Sequence, residues 1–303
     1  MTDTLQTRAR IEAAIAGDTV LAAFARTVAA RGDTVAYADK VGIDLSAGYA
    51  PGWRSVTWTG LADQAHAVAA ALVAAGVEAG DRVAFMCGNR IEHVVADLGA
   101  MHAGAITMSV YNTLSVDQVA FVAGHSEPTV VVLETAEHLA RWERALASSA
   151  TVRKVVLIDA PVPAGDDRFV SWADFVTAGR EWFAADPDAV AARVAGVRAE
   201  DAVTILYTSG TTGDPKGVVL THQAVLYEAA CSLETSGAPG EVVFVSYLPF
   251  AHIAERMLGM YIPQVIGGEI HLIADPAHLL GALAEVRPTR FFGVPRVWEK
   301  IKT

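Results

Sequence analysis

Residues 60–76, "GLADQAHAVAAALVAAG", are followed by "RVAFMC" at 82–87, "RIEHVVADLGAMHAG" at 90–104 and "ITMSVY" at 106–111, and this succession decides the fold. In the first segment apolar residues recur on one helical face, and Gly76 stands where a helix stops in the left-handed conformation. The second is a short strand, the third a helix closed by Gly104, and the fourth another strand. Outward from it the alternation continues with "SVDQVAFVAGH" (115–125), "TVVVLE" (129–134), "TAEHLARWERALASS" (135–149) and "RKVVLID" (153–159). Short strands separated by helices predict an α/β fold, with doubly wound, mainly parallel sheets flanked by helices.

The pattern weakens through the Pro, Gly and Asp loop "APVPAGDDRF" (160–169). A helix is expected at "SWADFVTAGREWFAAD" (171–186) and a surface segment at "PDAVAARVAGVRAED" (187–201). We place a boundary near residue 200, with a first α/β subdomain and its N-terminal cap over 1–200 and a second over 201–303. The second reads as strands at 202–209, 217–221, 242–249, 269–274 and "TRFFGV" (289–294), and as helices at 222–233, "IAERMLGMYIPQVIGG" (253–268), 276–288 and "PRVWEKIKT" (295–303). That last helix has neither a cap nor a closing strand, so the 303 residues read as a piece of something longer.

Composition narrows the function. Two cysteines in apolar settings suggest neither a disulfide nor a metal site, and the N-terminus has no secretory signal, so the expected compartment is the cytoplasm. Charge or turn residues break every long apolar run, which argues against a membrane span and leaves peripheral membrane contact open. A formal charge of -11 without a basic run argues against nucleic acid as a partner.

The stretch "YTSGTTGDPKG" (207–217) lies between two apolar runs. Gly210, Gly213 and Gly217 permit close backbone approach, the hydroxyls of Thr208, Ser209, Thr211 and Thr212 can donate hydrogen bonds, and Lys216 adds a compact positive charge. It is not a Walker loop, because Lys216 follows Pro215 and leads into a strand. The residues alone leave two readings open, a hairpin turn rich in turn formers or a cradle for phosphate.

"YTSGTTGDPKGVVLTH" resembles the signature loop of the adenylate-forming superfamily. "SYLPFAHIAERMLG" (246–259) and "PTRFFGVPRVWEKIK" (288–302) resemble its long-chain fatty acyl-CoA synthetases, and the likeness runs from "LAAFARTVAARGDTVAY" (21–37) to the last residue. The resemblance implies the incomplete N-terminal domain of an acyl-CoA synthetase-like fold. It also implies a two-step ligase reaction in which ATP adenylates a fatty acid and coenzyme A displaces AMP, with Mg2+ as the metal. Thr208, Ser209, Gly210, Thr211, Thr212, Gly213 and Lys216 would hold the outer phosphates, with Lys216 and His252 in the catalytic set. His252, Glu255 and Arg256 would lie toward the acyl substrate.

The family's later signatures do not occur, namely those for magnesium, the ribose and the lysine-bearing C-terminal lid domain, so the chain alone is not expected to complete catalysis. The alternatives are a short, non-catalytic nucleotide- or acyl-binding homologue and a fatty acyl-AMP ligase. Without the resemblance, His252 reads as a helix-start histidine beside a solvated Glu255–Arg256 ion pair. His222 reads as a helix cap, Trp298 as a packing residue, and Met101, His102, Met108 and Tyr111 as core or sheet-edge surface.

Overall fold

The computed structural model describes residues 2–42, 49–50, 52–208, 214–236 and 241–302. Its larger sheet comprises β3 (Arg82–Met86), β4 (Ile106–Ser109), β5 (Val130–Leu133), β6 (Lys154–Leu157), β7 (Phe169–Ser171), β8 (Ala202–Thr208) and β9 (Lys216–Thr221), in the order β7-β6-β5-β3-β4-β8-β9. All neighbours are parallel except β8 and β9, which form an antiparallel hairpin. The smaller sheet, in the order β10-β11-β1-β2, joins β10 (Val243–Ser246) and β11 (Glu269–Leu272) to β1 (Val35–Asp39) and β2 (Arg54–Thr57). Each sheet draws strands from both sides of residue 200, the expected boundary, so backbone hydrogen bonds tie the two stretches together.

Strand alternation explains why helices cover both faces. Val83, Phe85, Val130, Val132 and Val156 pack into one core, with helices Trp58–Ala74 and Ile91–His102. Ala84, Met86, Val131, Leu133, Val155 and Leu157 turn to the other core, against helices Val116–Ser126 and Ala136–Ser148. Thr57, Ser115, Thr135 and Ser171 cap their helices by accepting a backbone N–H two or three residues inside. Gly76 has φ 79°, as its place at a helix end requires.

Three local expectations change. Residues 187–196 form a helix, Pro187–Gly196, capped by Asp186 and opened by Pro187, so Asp-Pro is here a helix start. The expected strand at 289–294 reduces to an isolated bridge between Phe244 and Arg290. There the Thr289 side-chain oxygen accepts the Val243 N–H at 3.0 Å, taking the donor a ladder carbonyl would use. The expected single helix at 253–268 is Ile253–Arg256, a π-helical turn at Met257–Tyr261, and Ile262–Ile266. Pro263 carries no N–H to continue an α ladder, and the Ile262 N–H reaches back five residues to the Met257 carbonyl. No helix among the described residues is long and apolar enough to cross a membrane.

Candidate nucleotide site

Strand order reverses between β3 and β5, whose carboxyl ends open onto the crevice of the sheet's switch point. A cavity of about 550 Å³ lies farther along the same end of the sheet, at the carboxyl ends of β4 and β8. Its polar groups include Ser109, Tyr111, Gln118, Tyr207, Thr208 and His252, and among the described residues none that lines it is acidic.

Thr208 ends β8, and Lys216, exposed, begins β9 directly opposite it in the antiparallel register. The hairpin therefore brings the two ends of the glycine-rich loop together and presents the lysine beside them. Ser209, Gly210, Thr211, Thr212 and Gly213 lie outside the described residues.

His252 is exposed on the cavity wall and caps the Ile253–Arg256 turn, its Nδ1 accepting the Ala254 N–H at 3.2 Å. A neutral ring engaged in this way carries its proton on Nε2, which leaves one donor for a ligand.

Glu255 and Arg256 do not form the solvated pair expected without the resemblance. Both are fully buried behind the wall, because the turn directs them inward to separate partners. Arg256 pairs with Asp97, donates to Thr107 Oγ1, to Tyr261 Oη at 2.9 Å and to Ser109 Oγ at 2.7 Å. Ser109 in turn meets His93 Nε2 at 2.9 Å, while His93 Nδ1 faces the Gly88 carbonyl at 3.2 Å. Since a carbonyl only accepts, the proton sits on Nδ1 and the Ser109 hydroxyl donates to Nε2. Burial and the nearby Arg256 charge hold the His93 imidazole down at about 3. Burial also drives the Asp97 carboxyl upward, against the pull of Arg256.

Glu255 accepts the Leu248 N–H at 3.2 Å, bracing the turn that carries His252, and burial pushes its carboxyl up to about 7. Asn89 reaches the same turn, donating to the Leu248 carbonyl at 2.8 Å and to Ser246 Oγ at 3.1 Å. Ser109 is thus the residue through which the buried network touches the cavity.

The remaining candidates fall elsewhere. The helix cap expected of His222 belongs to Thr221, whose hydroxyl accepts the Ala224 N–H at 3.1 Å. His222 is buried and accepts the Val20 N–H instead. Met101, His102 and Met108 are buried, whereas Tyr111 lines the cavity. Trp298 is 51% exposed and lies edge-on to Phe291. Sequence reasoning missed Ser109, His93 and Asp97. The available signal was a pair of polar residues, His93 and Asp97, four apart on one face of a mainly apolar helix, with Ser109 a polar position on a buried strand.

With this geometry the chain belongs to the AMP-binding enzyme family, whose match covers residues 24–303. Among similar curated proteins, the long-chain-fatty-acid–CoA ligase FadD15 of Mycobacterium bovis is 35% identical over 254 residues, covering 82% of this chain and 40% of that protein. The long-chain-fatty-acid–CoA ligase ACSBG2 of Xenopus laevis is 30% identical over 287 residues, covering 92% of this chain and 37% of its own length. This chain therefore spans about two-fifths of the length of these relatives. Among solved structures, the anthranilate CoA ligase AuaEII in complex with anthranoyl-AMP shares the fold, with a TM-score of 0.75 at 18% identity over 91% of this chain and 50% of that one.

Proposed function

We propose that this chain forms the ATP-binding and acyl-binding part of a long-chain fatty acid–CoA ligase. The observation that carries the reading is that the mainly apolar cavity beside the loop, with polar groups at its Thr208 and His252 end, shares wall residues with further mainly apolar grooves. Leu220 and Ile253 line both the 550 Å³ cavity and an apolar groove of about 570 Å³. Ser232, Leu258, Ile262 and Phe292 line both that groove and a further one of about 540 Å³. An amphiphile with an anionic head and a long alkyl chain suits such a path, its carboxylate at the His252 end.

In this reading the carboxylate attacks the α-phosphorus of ATP, forming the acyl-adenylate and releasing pyrophosphate, and the coenzyme A thiol then attacks the acyl carbon and expels AMP. The chain's own contribution is to place two anions together and to stabilise charge growing on phosphate oxygens. Lys216, the hydroxyl of Thr208 and the residues 209–213 hold the outer phosphates, where one fixed donor lowers a barrier by about 2.7–4 kcal/mol. His252 Nε2–H donates toward the α-phosphate or the carboxylate. Glu255 and Arg256 act from behind the wall, holding the turn and Ser109. Among the described residues no group of three or more His, Cys, Asp or Glu could hold a metal ion, so no magnesium ligand is assigned and no step is routed through the ion.

The test compares Lys216→Ala with the parent in a thermal-shift titration with ATP. The parent is expected to gain stability with ATP and the variant to lose most of that gain; equal shifts would remove the loop from the site.

A further inference from the structure

Tyr207, the first residue of the signature loop, meets His125, which lies outside it. Tyr207 pairs with Gly217 one position before the Thr208 and Lys216 pair, and its ring lies over that glycine, where an added Cβ would sit 3.4 Å from Cζ. Its hydroxyl ends 2.7 Å from Nδ1 of His125, on helix Val116–Ser126. The imidazole is itself stacked on Phe121, with centroids 5.9 Å apart and planes 13° apart. The helix end is anchored in turn, because Arg82 of β3 donates to the Ser126 carbonyl at 2.7 Å and the Glu127 carbonyl at 2.9 Å. Gln118 and Val122 of the same helix line the cavity.

We propose that His125 is a positioning residue for the nucleotide site. Through Tyr207 it clamps the two arms of the loop to a helix fixed on the central sheet, so that Thr208 stands at the cavity with Lys216 paired opposite it before ATP arrives. A loop whose ends are held in place loses less freedom on binding phosphate, which strengthens nucleotide binding without a direct contact. The consequence for ATP rests on the ligase reading; the clamp itself does not.

The experiment uses the full native polypeptide carrying this sequence, with His125→Phe, His125→Asn, Tyr207→Phe and the Phe/Phe double variant. His125→Phe keeps a stacking ring and loses the hydrogen bond, whereas asparagine can restore an acceptor near the Nδ1 position. Tyr207→Phe removes only the hydroxyl, so it reads the same bond should the histidine variant fold poorly. Amide exchange at residues 214–218 is expected to quicken in both Phe variants and return toward the parent rate in His125→Asn. The KM for ATP is expected to rise about fivefold in both Phe variants, with the KM for fatty acid unchanged in His125→Phe, and the double variant to be no worse than either single one. Unchanged exchange in both Phe variants, or additive effects in the double variant, would overturn the clamp. Quickened exchange in a protein that forms no acyl-CoA from ATP would overturn the ligase reading and leave the clamp standing. Equal rises in both KM values in His125→Phe would overturn its selectivity for the nucleotide.

Discussion

Arg256 and Asp97 meet where neither side chain has any exposure to water, each at 0%. A charge pair so placed gives little net stability when intact, but removing one partner strands the other in a low-dielectric interior. Arg256→Met is therefore expected to destabilise the protein by about 3–5 kcal/mol in urea denaturation, and Arg256→Met with Asp97→Leu to recover much of that loss. A double variant as unstable as the single one would show that packing around the guanidinium matters more than charge. The inward direction of Arg256 was not legible in the sequence, because Glu255 and Arg256 look like a surface pair until Asp97, Thr107 and Ser109, roughly 150 positions away, are brought beside them. The place of Lys216 opposite Thr208 was legible because that pairing is local. The lysine lies next to the glycines and hydroxyls of the loop in the chain, and the β8–β9 hairpin needs only short-range pairing.

At the scale of elements, two helix contacts depend on glycine. A Cβ on Gly99 would press into Val68, and one on Gly179 would overlap the Ala67 carbonyl, so helices Ile91–His102 and Trp172–Ala185 both pack on Trp58–Ala74 through bare backbone. Gly179→Ala improves intrinsic helix propensity by about 1 kcal/mol yet forces the helices apart. A net loss of about 1–3 kcal/mol is expected by thermal or urea unfolding, and a gain in stability would contradict the close approach. Helix Trp58–Ala74 was readable from its apolar spacing, but its partners on either side were not. The π turn at Met257–Tyr261 was hidden for a related reason. Periodicity reports which face is apolar, while the extra residue in that turn answers to Pro263 and to the packing of Gly259 against Ser246 and Phe250.

For the whole molecule the buried ionisable groups set opposing pH dependences. Burial lowers His93 to about 3 and His102 and His222 to about 4, against an ordinary value of about 6.5 in the unfolded chain. Between those values the unfolded state binds more protons, so stability falls as pH drops below about 6.5. Glu255 works the other way. Its carboxyl is raised to about 7, so the folded state holds the extra proton from about pH 4.3 upward and stability declines as pH rises through that window. Glu255→Gln is therefore expected to gain stability relative to the parent as pH goes from about 4.5 to 7, in urea titrations at each pH; a flat difference would mean the carboxyl is not neutral in the fold. Sequence by itself determined the alternation of strands and helices, the strand-to-strand setting of the glycine-rich loop and the family, since these rest on periodicity and on neighbours in the chain. Only the tertiary structure decided that Arg256 and Glu255 turn inward, that Ser109 carries the buried network to the cavity, and that His125 meets Tyr207. Each of these depends on which side chains share one small volume, and chain separation does not encode that.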